Sequence, residues 1–206
     1  MRYSAGIFFI AASTLLLEIS LSRVFSVVFF HHFAFLIIST ALFGFGFSGV
    51  YLFFRKPSPE KLDRYLGVAA ILFGLTALII YRILLVMPAQ SEELMQRPEL
   101  IVRLLLNYAL LAIPFYFSGY VVSAILSSFS EISGKLYAYD LIGAALGCLS
   151  VLWLIPAIGG SGAVVLASLI AAISAMIFAG RNKIVFLCAA AFAIGCLLLI
   201  PQAEKL

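Results

Sequence analysis

Runs of roughly 20 apolar residues succeed one another along this chain, and that length matches the roughly 30 Å of hydrocarbon a helix must cross. Lipid offers no partner for backbone N–H and C=O groups, so a spanning segment is a helix or part of a closed barrel. No alternation of apolar and polar residues marks out barrel strands. The expectation is an all-α, polytopic integral membrane helix bundle of about seven transmembrane helices, forming one transmembrane domain over residues 1–206. The spans fall at about 5–27, 33–54, 65–87, 101–127, 136–157, 161–180 and 183–202. Composition agrees, with 65% hydrophobic and 11% charged residues, where a soluble domain carries roughly 25% charge.

The links between spans are visible as polar or glycine-rich text. Arg55–Arg64 is broken by Pro57 and Pro59, Met87–Glu99 is the longest hydrophilic stretch, and Ser127–Lys135 is a third link. Gly159-Gly-Ser-Gly162 reads as a tight uncharged turn and Arg181-Asn-Lys183 as a short basic one. Residues 22–32 contain no turn signal, which leaves a helix end, an interfacial helix and a re-entrant piece open for the first boundary.

Lys and Arg in short loops set orientation. With the N-terminus cytoplasmic, the inner segments hold Arg2, Arg55, Lys56, Lys61, Arg64, Lys135, Arg181 and Lys183, the larger of the two groups. Arg23, Arg82, Arg97, Arg103 and Lys205 fall on the outer side. The net charge of +4 is thus a topology signal and calls for no nucleic-acid partner. The opening Met-Arg before an apolar run is similar to a signal peptide. However, the run passes through Glu18 without a small-residue cleavage site, so it is expected to stay as the first helix.

Charge inside the spans is scarce. Glu18 and Arg23 are the only charged residues between Arg2 and Arg55, and both histidines, His31 and His32, follow closely. An ionisable group at mid-membrane costs about 2.5–3.5 kcal/mol on insertion scales, which makes these residues functional candidates. Asp140 is the other intramembrane acid. Helical depth sets it near the inner side and Glu18 towards the outer side, so no shared cluster is expected. Glu18 and Arg23 lie about 140° apart around a straight helix and are poor partners for each other. A polar clamp between helices and a substrate site are both compatible with them.

Adjacent histidines point about 100° apart on a helix and do not readily share a metal. Cys148, Cys188 and Cys196 form no C-x-x-C pair and read as packing residues. No metal and no cofactor is expected, though haem or metal ligation by either histidine alone stays open. Gly44-Phe-Gly46-Phe-Ser-Gly49 matches G-x-G-x-x-G, but it lies inside an apolar helix and not after a strand as a dinucleotide site requires. These glycines read as helix-packing positions, like the G-x-x-x-G of Gly143 and Gly147. Pro114 is expected to kink the fourth span.

Two stretches carry a family likeness. Leu17-Glu18-Ile-Ser-Leu-Ser-Arg23-Val-Phe-Ser, followed by His32-Phe-Ala-Phe-Leu-Ile-Ile-Ser-Thr-Ala-Leu-Phe-Gly44-Phe-Gly46, resembles the polytopic N-terminal region of bacterial proteins fused to a spermidine synthase-like domain. Pro114-Phe-Tyr-Phe-Ser-Gly119 and Tyr139-Asp140-Leu-Ile-Gly143-Ala-Ala-Leu-Gly147-Cys look like later segments of that family. The resemblance implies a multi-pass protein of the bacterial inner membrane with Glu18, Arg23, His32 and Asp140 as its intramembrane polar positions. An aromatic often stands at the place of His31. The family's soluble aminopropyltransferase-like domain is absent here, which leaves a fragment, a split subunit and a stand-alone relative open.

Two functions are expected on this reading. The first is a membrane-embedded module that anchors or assembles with a partner, such as a spermidine synthase-like aminopropyltransferase, or with its own copies. The second is a small transporter or channel using Glu18, Arg23 and Asp140. Whether the chain is itself an enzyme stays open, since no nucleophile–base pair can be named.

Overall fold

A computed structural model describes residues 1–29, 32–86, 98–180 and 182–201, and all side chains there except those of 27–29, 32–35, 86 and 98–104. It is all-helical in these residues: α1 (Arg2–Phe29), α2 (His32–Phe54), α3 (Leu62–Val86), α4 (Pro98–Ser128), α5 (Ser133–Ala179) and α6 (Lys183–Leu199). Short 3-10 turns at Pro59–Lys61 and Ser130–Ile132 lead into α3 and α5. Five of the six helices are long and apolar enough to cross a membrane. The expected span at 183–202 is the exception. The helix has 17 residues, and Pro201 lies just beyond its end in a tighter turn.

The expected turn at Gly159 does not end a helix in the ordinary way. α5 is two helical arms joined at a sharp kink, where Gly159 sits at φ 70°, ψ 176°, outside helical geometry. Packing registers show that the chain reverses there. Gly143 and Gly147 in the first arm lie against Phe8 and Ala12 of α1, so that arm runs parallel to α1. In the second arm Ala167 precedes Ser174, yet Ser174 bonds to Gly6 and Ala167 to Ser13. That arm therefore runs antiparallel to α1, and α1 is held between the two arms.

The other helices follow from similar registers. Tyr3 touches Phe129 and Thr14 touches Ser118, which makes α4 antiparallel to α1. Gly44 lies against Ala112 and Gly119 against Ser48, so α2 and α4 run side by side in the same direction. Gly67 meets Val185 and Gly74 meets Phe192, placing α6 parallel to α3. As a result Arg2, the Arg55–Arg64 link, Lys135 and Lys183 all collect at one end of the bundle, here called the basic end.

Ile7, Ile10, Leu16 and Leu17 of α1 are fully buried with Phe73, Phe115 and Phe178 of three other helices. The second arm of α5 offers Ala163, Ala167, Ala171, Ala175 and Ala179, all buried and spaced four apart. Positions four apart share a helix face, and small residues there let backbones approach closely where lipid gives no hydrophobic drive to associate. The outer faces stay apolar: Phe43, Phe47 and Phe53 on α2 and Leu149, Leu152 and Trp153 on α5 are exposed.

Candidate functional site

The polar side chains of α1 define the candidate site, because α1 lies at the centre of the bundle. Ser13 donates to the carbonyl of Ala167 at 2.6 Å. One residue on, the Thr14 hydroxyl meets Ser118 of α4 and also donates to the carbonyl of Ile10. Ser174 donates to the carbonyl of Gly6 at 2.8 Å, and Ser168 to that of Gly74 at 3.0 Å. Near the other end Tyr81 and Ser161 share a hydrogen bond of 2.8 Å. Hydroxyls thus stitch α1 to α4 and α5, and α3 to α5. Inter-helix bonds of this kind contribute about 0.6 kcal/mol each in membranes, up to about 1.7.

Glu18 lies one turn beyond Thr14 on the same face of α1. Continuing the antiparallel register from Thr14 and Ser118 sets it level with Pro114. Proline supplies no N–H, so the carbonyl four residues earlier, that of Leu110, has no helical donor there; α4 nevertheless stays helical through Pro114. Glu18 is half-buried and makes no hydrogen bond or ion pair with any described residue. Two buried hydroxyls nearby, Ser20 Oγ and Tyr108 OH, also have no hydrogen-bond partner among the described residues. Tyr108 falls level with about residue 24 of α1, so the three groups span about 9 Å along the bundle.

The remaining sequence candidates are scattered. Arg23 is exposed, and α1 runs unbroken from Arg2 to Phe29, so residues 22–29 continue the first helix and do not fold back. His32 opens α2, and His31 lies outside the described residues. Asp140 is half-buried near the basic end. The contact of Gly143 with Phe8 sets it level with about residue 5 of α1, some 20 Å from Glu18. Among the described residues no three His, Cys, Asp or Glu side chains gather where a metal ion would fit.

The packing glycines divide. A Cβ at Gly143 or Gly147 would overlap the main chain of α1, and one at Gly44 would come within 2.7 Å of the Ala112 carbonyl oxygen. At Gly46 and Gly49 it would meet nothing within 4 Å, so of these three only Gly44 touches a neighbouring helix.

Sequence reasoning missed the knot at the basic end. Arg2 pairs with Asp63, the Tyr3 hydroxyl donates to the same carboxylate at 2.6 Å, and Arg2 donates to Tyr3 at 3.1 Å. The Tyr3 ring rests on Phe129 with centroids 4.5 Å apart. It also missed the hydroxyl bridges and the alanine stripe. Small residues at i, i+4 on 163–179 were the signal that marks the stripe.

The chain matches no family model, no curated protein and no solved structure.

Proposed function

We propose that this chain is a membrane-embedded module that anchors or assembles with a partner protein. The partner class is the one implied by the resemblance of the Glu18–Gly46 and Tyr139–Cys148 segments, a spermidine synthase-like aminopropyltransferase. The observation that carries the reading is how intramembrane polarity is used. Ser13, Thr14, Ser168 and Ser174 are engaged in joining helices, and the two intramembrane acids stand about 20 Å apart in depth. Such groups hold a bundle together more readily than they hand a solute across it.

Counting each arm of α5 and α6 as separate crossings gives seven passages. The cluster of Lys and Arg at the basic end favours a cytoplasmic N-terminus, and the bacterial inner membrane is the location that the resemblance implies. Purification of the tagged protein from native membranes tests the module. A stoichiometric aminopropyltransferase-like partner, identified by mass spectrometry, is the expected result. A protein recovered only as a monomer or with its own copies overturns it.

A transport reading has one observation in its favour, the partnerless Glu18 level with Pro114, with the unpartnered hydroxyl of Tyr108 further along α4. Under it, vesicles holding the protein accumulate solute and those holding Glu18→Gln do not. Equal uptake by both removes Glu18 from the path.

A further inference from the structure

At the basic end, α2 and α3 make almost no contact with each other among the described residues, although each packs against α4. The gap between them is a cleft of about 600 Å³, floored by α4 and roofed by the Arg55–Lys61 link. Small-molecule sites commonly measure about 300–1,000 Å³. Its contents are unusual for a space between apolar helices.

Tyr51, Tyr65, Tyr116 and Tyr120 turn into it from three helices. Arg55, Lys56 and Lys61 line its mouth. None of these seven polar groups makes a hydrogen bond or an ion pair with a described residue. Among the described residues no acid lines the cleft: Glu60 lies exposed in the adjoining turn, and Asp63 is taken by Arg2 and Tyr3. Deeper in, Val68, Leu72 and Phe117 make the wall apolar.

We infer that this cleft binds an anionic phospholipid, with its phosphate at Arg55, Lys56 and Lys61 and an acyl chain along Val68, Leu72 and Phe117. Charge selects the sign of the ligand. Three uncompensated cations attract phosphate and repel a polyamine, and basic pockets between transmembrane helices are suited to anionic headgroups. The phenols supply donors to phosphate and ester oxygens, and the guanidinium of Arg55 can engage two phosphate oxygens at once. The gradient from basic mouth to apolar depth suits an amphiphile at the end of a helix bundle, where headgroups meet hydrocarbon. A free phosphate ion would leave the apolar half unused.

The test measures binding of fluorescent phosphatidylglycerol and phosphatidylcholine to the purified full chain in detergent. Phosphatidylglycerol is expected to bind tighter. Each cation removed should weaken it roughly fivefold, and Arg55→Gln/Lys56→Gln/Lys61→Gln together about a hundredfold. Lys183→Gln removes a charge at the same end outside the cleft and should leave the affinity unchanged. If the triple variant fails to fold, Lys61→Gln and Tyr120→Phe carry the comparison, each expected to bind severalfold more weakly. Equal affinity for the two lipids, or equal losses in Lys183→Gln and Lys61→Gln, overturns the inference. Displacement of the lipid by millimolar inorganic phosphate overturns it in favour of a free anion.

Discussion

A single methyl group distinguishes the glycines that join helices from those that do not. At Gly143 it would strike the main chain of Phe8, and at Gly46 it would enter open space. Gly143→Ala is expected to cost about 1–3 kcal/mol by overpacking. Gly46→Ala is expected to be neutral or mildly stabilising, since alanine is the better helix former by about 0.8–1.0 kcal/mol. Thermal midpoints in detergent, followed by size-exclusion chromatography, separate the two. A midpoint lowered equally in both would contradict this packing. Asp63→Asn removes the charge that faces Arg2. With both side chains over a third exposed, the loss should stay below about 1 kcal/mol. The sequence signalled Gly143 and Gly147 clearly, because a pair four apart shares one face. It was less informative for the first cluster, where Gly46 and Gly49 stand about 200° and 140° around the helix from Gly44. No spacing rule says which of those directions meets a neighbour. Nor could spacing reveal that Tyr3 reaches Asp63, sixty positions away.

The reversal within α5 depends on one backbone position. At φ 70° and ψ 176° Gly159 occupies a region open almost only to glycine, where another residue costs of order 1–3 kcal/mol. Gly159→Ala is therefore expected to lower the thermal midpoint and to loosen the α1 contacts of both arms, read as faster proteolysis between 150 and 170. Gly134→Ala, an exposed control with nothing near it, should do neither. Helix positions were legible to within a few residues, because apolar length and polar links mark them directly. The alanine stripe of 163–179 escaped notice because alanine counts simply as apolar when a span is sought. Its significance lies in its size and spacing. Ala167→Leu, set where Ser13 reaches the backbone, should weaken the bundle more than Ala191→Leu on the exposed face of α6. Yield of folded protein after detergent extraction would show the difference.

Across the whole bundle, alternation of direction follows from short links, but the neighbours of each helix do not. That α2 lies beside α4, α3 beside α6, and α1 between two arms of one later helix comes from tertiary packing alone. The arrangement makes a labelling prediction. With Cys148, Cys188 and Cys196 replaced by alanine, cysteines introduced at Ser58 and Ser130 should react with a membrane-impermeant reagent from the same side, and one at Pro201 from the other. Labelling of all three from one side would refute the registers of α5 and α6. The central place of α1 also bears on how the chain is made. Ser13 leaves the ribosome 154 residues before the carbonyl it will bond. At roughly 5–20 residues per second that interval lasts about 8–30 s. Throughout it the first helix carries Ser13 and Glu18 in the membrane without its main neighbour. A nascent chain stopped before Ser133 would keep that helix exposed to quality-control proteases, so the last third of synthesis decides whether the first helix survives.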